Sequence, residues 1–99
     1  MSTERLPLRL HPLHPSAPQN LRYTATTDSV TVDWDPVDGA TSYKVYRGEK
    51  KVFDKEVTEP KYTATGLSPD TQLTINVTAV NAAGESAMSE IVTRTEPSA

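Results

Sequence analysis

Between Pro18 and the chain's end, apolar and polar residues alternate with a period of two, the spacing of a half-buried β-strand. Leu21, Tyr23 and Ala25 share one face, and Val30, Val32 and Trp34 share the next after the Thr27-Asp28-Ser29 turn. Tyr43, Val45 and Arg47 follow Asp38-Gly39, with Lys44 and Tyr46 opposite. Lys51 to Val57 is charged and amphipathic, as suits an edge strand. Tyr62 and Ala64 form a short strand after Pro60. Leu73, Ile75, Val77 and Ala79 alternate cleanly with Gln72, Thr74, Asn76 and Thr78, and a last strand spans about residues 90–95. No segment has helical periodicity. Seven short strands at this spacing predict an all-β, antiparallel, immunoglobulin-like sandwich. Its core is Leu21, Val32, Trp34, Tyr43, Val45, Tyr62, Leu67, Leu73, Ile75 and Val77.

The first seventeen residues follow another rule. Pro7, Pro12 and Pro15 exclude a helix and push each preceding residue toward extended geometry. The pattern divides the chain into an extended N-terminal arm, 1–17, and a domain, 18–97. Fully stretched, such an arm reaches roughly 55 Å. Leu6, Leu8 and Leu10 alternate with Pro7 and Arg9, and Leu13 follows. Two readings stay open for it: a passive terminus, or a docking arm that inserts Leu6, Leu8, Leu10 and Leu13, with Arg9, into a protein partner.

Composition narrows the function. Ninety-nine residues suit one small domain, with little stability to spare. The absence of cysteine excludes disulfides and thiolate metal sites. No apolar run approaches the length of a transmembrane helix, and the start lacks the apolar stretch of a secretory signal. The net charge is −3; the arm is slightly basic, so the domain is the acidic part. That argues against nucleic acid as a partner.

The ordered set of Pro18 before Leu21, Trp34-Asp35-Pro36, Ala40 to Arg47, Tyr62, Leu67-Ser68-Pro69-Asp70-Thr71 and Asn81-Ala82-Ala83-Gly84-Glu85-Ser86 resembles a fibronectin type III domain over about four-fifths of the chain. The resemblance implies strands A, B and E facing C, C′, F and G, with Trp34 between the sheets and Leu67 buried at the turn into strand F. One position departs from the pattern. Where the family usually has a tyrosine, whose hydroxyl bonds back to upstream backbone, this chain has Leu73. A lost bond of that kind costs on the order of 1 kcal/mol, so Leu73→Tyr is expected to stabilise the domain.

The candidate chemistry is sparse. His11 and His14 have helical metal-ligand spacing, but prolines forbid the helix. Asp33, Asp35 and Asp38 cluster without a calcium loop and read as solvated loop carboxylates. Both histidines lie in the arm, so a nucleophile has no base, and no enzyme or cofactor is expected. Asn76-Val77-Thr78 fits the glycosylation pattern and is expected to point outward, although the match reads as incidental. The family's integrin tripeptide is missing from residues 81–86, and Arg47-Gly48-Glu49 is only a near match. Lys44, Tyr46, Thr74 and Asn76, with Thr78, are expected to share one outer sheet face, either an ordinary solvated surface or a glycan-binding one.

These readings converge on a non-catalytic interaction protein. The expected setting is a bacteriophage virion, where a capsid decoration or tail-associated protein grips a capsid or tail protein by its arm and displays a domain that adheres to host-surface glycans. The alternative is a spacer or carbohydrate-associated module of a larger secreted bacterial enzyme or surface protein. Neither setting requires nucleic acid or membrane insertion.

Overall fold

A computed structural model describes residues 15–98, and the arm leucines Leu6, Leu8, Leu10 and Leu13, together with Arg9, His11 and His14, lie outside them. Among the described residues there are eight strands: β1 (Arg22–Ala25), β2 (Val30–Asp33), β3 (Ser42–Arg47), β4 (Val52–Val57), β5 (Lys61–Ala64), β6 (Gln72–Asn81), β7 (Gly84–Glu85) and β8 (Ser89–Arg94). One sheet has the order β1-β2-β5. The other has the order β4-β3-β6, with β7 and β8 both paired to β6. All pairings are antiparallel. The predicted strands A to F are thus β1 to β6 (C′ being β4), and the predicted last strand is β8. The additional strand is a two-residue ladder, Val80↔Glu85 and Asn81↔Gly84, which closes the tight turn after β6 before the chain rejoins the same strand from Ser89.

The core lies between the sheets. Val30, Val32 and Trp34 come from the smaller sheet's side, as do Tyr62 and Ala64; Tyr43, Val45, Ile75, Val77 and Ala79 come from the larger. Trp34 is 1 % exposed and meets Tyr43 edge-on, with ring centroids 5.4 Å apart. The Tyr43 hydroxyl accepts a hydrogen bond from the Val37 amide, which ties the loop after β2 to the core. Leu21, Leu67 and Leu73 are partly buried rather than fully so, packed against the rim of this cluster. Tyr23 is inward in register but exposed, because β1 is a sheet edge with no neighbour beyond it.

The Leu67-to-Thr71 turn is tied to the segment that follows β8. The Thr95 hydroxyl donates to the Ser68 carbonyl at 2.7 Å and accepts from the Thr71 amide at 2.8 Å. The turn into β6 thus has a side-chain tie from Thr95 that the expectation attached to Leu73 did not include.

The entry to the domain is also fixed. Pro15 and Pro18 are buried, and Ser89 donates its hydroxyl to the Pro18 carbonyl. The Asp35 amide bonds to the Gln19 carbonyl. Asn20, with a left-handed φ of 57°, donates its amide to Asp35. Arg22 bridges Asp33 and Asp35, each at 3.1 Å. Hydrogen bonds from Asn20 and Arg22 hold the Asp35 carboxyl below its ordinary value. Asp33 and Asp35 are thus committed to the chain's own donors, and among the described residues no group of acidic or histidine side chains is placed to hold a metal ion.

Candidate binding surfaces

The outer face of the larger sheet carries the residues expected there, but not with the expected exposure. Register places Tyr46, Asn76 and Glu90 in one row, Lys44 beside Thr78 in a second, and Thr74 beside Val92 in a third. Thr74, Asn76 and Thr78 are 9 %, 2 % and 1 % exposed. They are short side chains on the central strand β6, overshadowed by longer neighbours from β3, β7 and β8. A period of two assigns a side of the sheet; it does not say whether that side is open. Thr74 and Asn76 are therefore a covered floor rather than an open binding face. Asn76 is likewise too deep for a glycosylating enzyme to reach in the folded domain. Its amide nitrogen is buried with no hydrogen-bond partner.

Glu85 and Tyr46 stand over part of this floor. The carboxylate of Glu85 accepts from the Tyr46 hydroxyl and, at 2.7 Å, from the Thr78 hydroxyl. Tyr46 in turn meets Phe53 edge-on at 5.7 Å. Sequence reasoning passed over Phe53, which is 52 % exposed; its only signal was an aromatic residue in an otherwise charged edge strand. Burial and the bond to Glu85 push the Tyr46 hydroxyl up to about 12.

The bonds from Tyr46 and Thr78 hold the Glu85 carboxyl below its ordinary value of 4.5. Folding therefore favours the ionised form. The stabilisation is complete above the unfolded-state value and is lost as pH falls through the lower folded-state value. Thermal melts from pH 7 to pH 3 are expected to show a steep acid limb for the wild type. The limb is expected to be shallower for Glu85→Gln, which cannot ionise; parallel limbs would assign the acid sensitivity to other carboxylates.

The second surface is the edge formed by β4 and the start of β5. Val52, Phe53, Asp54 and Lys55 are all exposed, and β4 pairs only with β3. A register shift between Val45 and Tyr46 marks a bulge in this pairing. Asp54 reaches across to the other sheet, accepting from the Tyr62 hydroxyl and facing Arg47 at 3.8 Å. Burial, then Asp54, push the Tyr62 hydroxyl up to about 12. Lys55 and Lys61 flank a cleft completed by Glu56, Val57, Thr58 and Glu59. Ser42 donates its hydroxyl to Glu56. A further cleft, lined by Ser16, Ala17, Gln19 and Asp35 to Asp38, lies where the arm enters the domain.

Comparison with known proteins is consistent with this geometry. The profile of the "Fibronectin type III domain" family matches residues 16–95. The tail tube protein gp17.1* of Bacillus phage SPP1 is 68 % identical over 83 residues, which are 84 % of this chain and 31 % of that protein. A poly(3-hydroxybutyrate) depolymerase of Ralstonia pickettii is 45 % identical over 86 residues, covering 85 % of this chain and 17 % of the enzyme. The chain thus spans less than a third of the length of either relative. Among solved structures, the crystal structure titled FN3tt superposes with a TM-score of 0.79 at 22 % identity, covering 85 % of this chain and 97 % of that one, a likeness of fold alone.

Proposed function

Because the chain belongs to the fibronectin type III family, whose sandwich brings no chemistry of its own, we propose that it acts as a non-catalytic structural component of a bacteriophage virion. Its sandwich is displayed on the particle, and residues 1–17 attach it to a tail protein. The observation that carries this reading is the 68 % identity to a phage tail tube protein. It favours the tail over the capsid as the location. The fixed junction supports a mounting role for the arm: Pro15 and Pro18 are buried, and Ser89 and Asp35 anchor the backbone on either side of Gln19. A domain held this firmly at its root transmits the arm's attachment as an orientation rather than as a loose tether.

The test is co-sedimentation with purified tails of the phage that encodes the chain, using the full chain and a variant lacking residues 1–16. Both are expected to fold, and only the full chain is expected to travel with the tails. Equal binding by the two would remove the arm from the interface, and binding by neither would remove the chain from the tail.

The 45 % identity to a depolymerase favours a second reading, in which the domain is a spacer within a larger secreted enzyme. Peptides of this chain found in secreted enzyme fractions rather than in purified particles would establish that reading over the first.

A further inference from the structure

One edge of the smaller sheet is open. The segments around β1 and β8 are tied to each other: the Pro18 carbonyl accepts from Ser89, and the Glu96 amide donates to the Thr26 carbonyl. β4 carries a bulge and the charges Asp54, Lys55 and Glu56, features that deter pairing with another strand. Among the described residues β5 pairs only with β2. It has no bulge and no proline, and its one charge is Lys61, at its start.

The hydrogen-bond phase of β5 fixes which of its groups are free. The Trp34 amide donates to the Pro60 carbonyl, in phase with the register Val32↔Tyr62 and Val30↔Ala64. Along an antiparallel ladder, successive residues turn their amide and carbonyl to alternate sides. Tyr62 and Ala64 therefore bond to β2. Thr63 turns both its N–H and its C=O to the open edge, and Lys61 its carbonyl. The Thr63 side chain lies on the outer face, in a row with Thr31 and Thr24. The Thr31 and Thr63 hydroxyls are 3.0 Å apart.

We propose that this edge pairs with the same edge of a second copy of the chain, antiparallel, about a two-fold axis at Thr63. The two Thr63 residues then exchange both backbone hydrogen bonds, and each Lys61 carbonyl accepts from the other copy's Thr65 amide. Self-complementarity chooses the occupant. Pairing centred on Thr63 sets a neutral residue against itself and holds the two Lys61 positions about 13 Å apart along the strands. Each Lys61 arrives instead beside Thr65 of the other copy. That end of the sheet carries exposed Asp28, whose carbonyl holds the Leu67 amide. The threonine row runs on from one copy into the other, a cross-strand pairing that suits a sheet. Two-fold symmetry makes each of these contacts occur twice. The proposal concerns the domain's own edge and does not depend on the virion reading.

The experiment is sedimentation equilibrium of the full chain, whose mass is expected to rise from monomer toward dimer with concentration. Thr63→Lys and Thr63→Glu each set like charges face to face at the axis. Each alone is expected to associate at least about tenfold more weakly than the wild type. Mixed in equal amounts they are expected to associate with each other, because the facing charges are then opposite. Position 63 is exposed, and thermal melts check that both variants fold. If either does not, Thr63→Cys replaces them. The chain has no cysteine of its own, and air oxidation is expected to link Thr63→Cys into dimers faster than Thr24→Cys, its counterpart on β1. A wild type that stays monomeric at millimolar concentration would overturn the proposal, as would single variants that associate like the wild type. A mixture that fails to associate, or equal cross-linking at positions 24 and 63, would overturn it too. Loss of association in Leu6→Ser/Leu8→Ser/Leu10→Ser would give the edge to the arm and overturn self-pairing.

Discussion

Trp34→Ala is expected to leave the domain at or beyond the edge of unfolding at room temperature. Trp34 is the largest fully buried side chain and sits 1 % exposed between the two sheets. It packs edge-on to Tyr43, whose hydroxyl holds the Val37 amide. Truncating a buried tryptophan typically costs about 3–5 kcal/mol through lost burial and the cavity left behind. A domain of this size has about 5–10 kcal/mol in all. Urea denaturation followed by circular dichroism is the measurement, since Trp34 is the chain's one tryptophan and its fluorescence vanishes with it. The midpoint is expected to fall by about half or more. Trp34→Phe is expected to lose much less, because it keeps a ring against Tyr43 and removes an indole N–H that is buried without a partner. A loss below about 1 kcal/mol for the alanine variant would mean that the sheets are held together elsewhere.

Trp34 was legible in the sequence because its role depends only on period and neighbours. The alternation Val30, Val32, Trp34 needs no knowledge of the rest of the chain, and the same is true of Tyr43 and Val45 and of Ile75, Val77 and Ala79. The outer face of β6 was not legible. Thr74, Asn76 and Thr78 read as solvent-facing because they are polar and alternate with the core. Their burial depends on which side chains flank them across two other strands, Tyr46 and Lys44 from β3 and Glu90 and Val92 from β8. Pairing partners 28 to 38 residues away along β3, as in Tyr43↔Ala79 and Lys44↔Thr78, carry no local signal. The lysines of the β4 edge were visible as an edge pattern. Their association with Lys61 was not, because it arises only where the two sheets meet.

Thr95→Val is expected to destabilise the domain by about 1–3 kcal/mol, a large effect for the loss of one hydroxyl. Valine keeps the β-branched shape, so packing and strand preference change little. What is lost is a buried crosspiece. Thr95 is 1 % exposed. Its hydroxyl donates to Ser68 and accepts from the Thr71 amide, and its own amide bonds to the Thr71 carbonyl at 3.0 Å. Removing the oxygen leaves one donor and one acceptor at the turn into β6 without this partner. The departure at Leu73 gives the experiment its meaning. The family's usual tyrosine would stand at Leu73, two residues beyond that turn. Here the turn depends on Thr95, 24 residues further on. Chemical denaturation measures the loss, and hydrogen exchange at the Thr71 amide locates it. That amide is expected to exchange markedly faster in Thr95→Val, and Thr95→Ser, which keeps the oxygen, is expected to restore its protection and most of the stability. If valine leaves both stability and Thr71 protection unchanged, the turn is held by its own geometry and the replacement of the tyrosine by Thr95 is wrong.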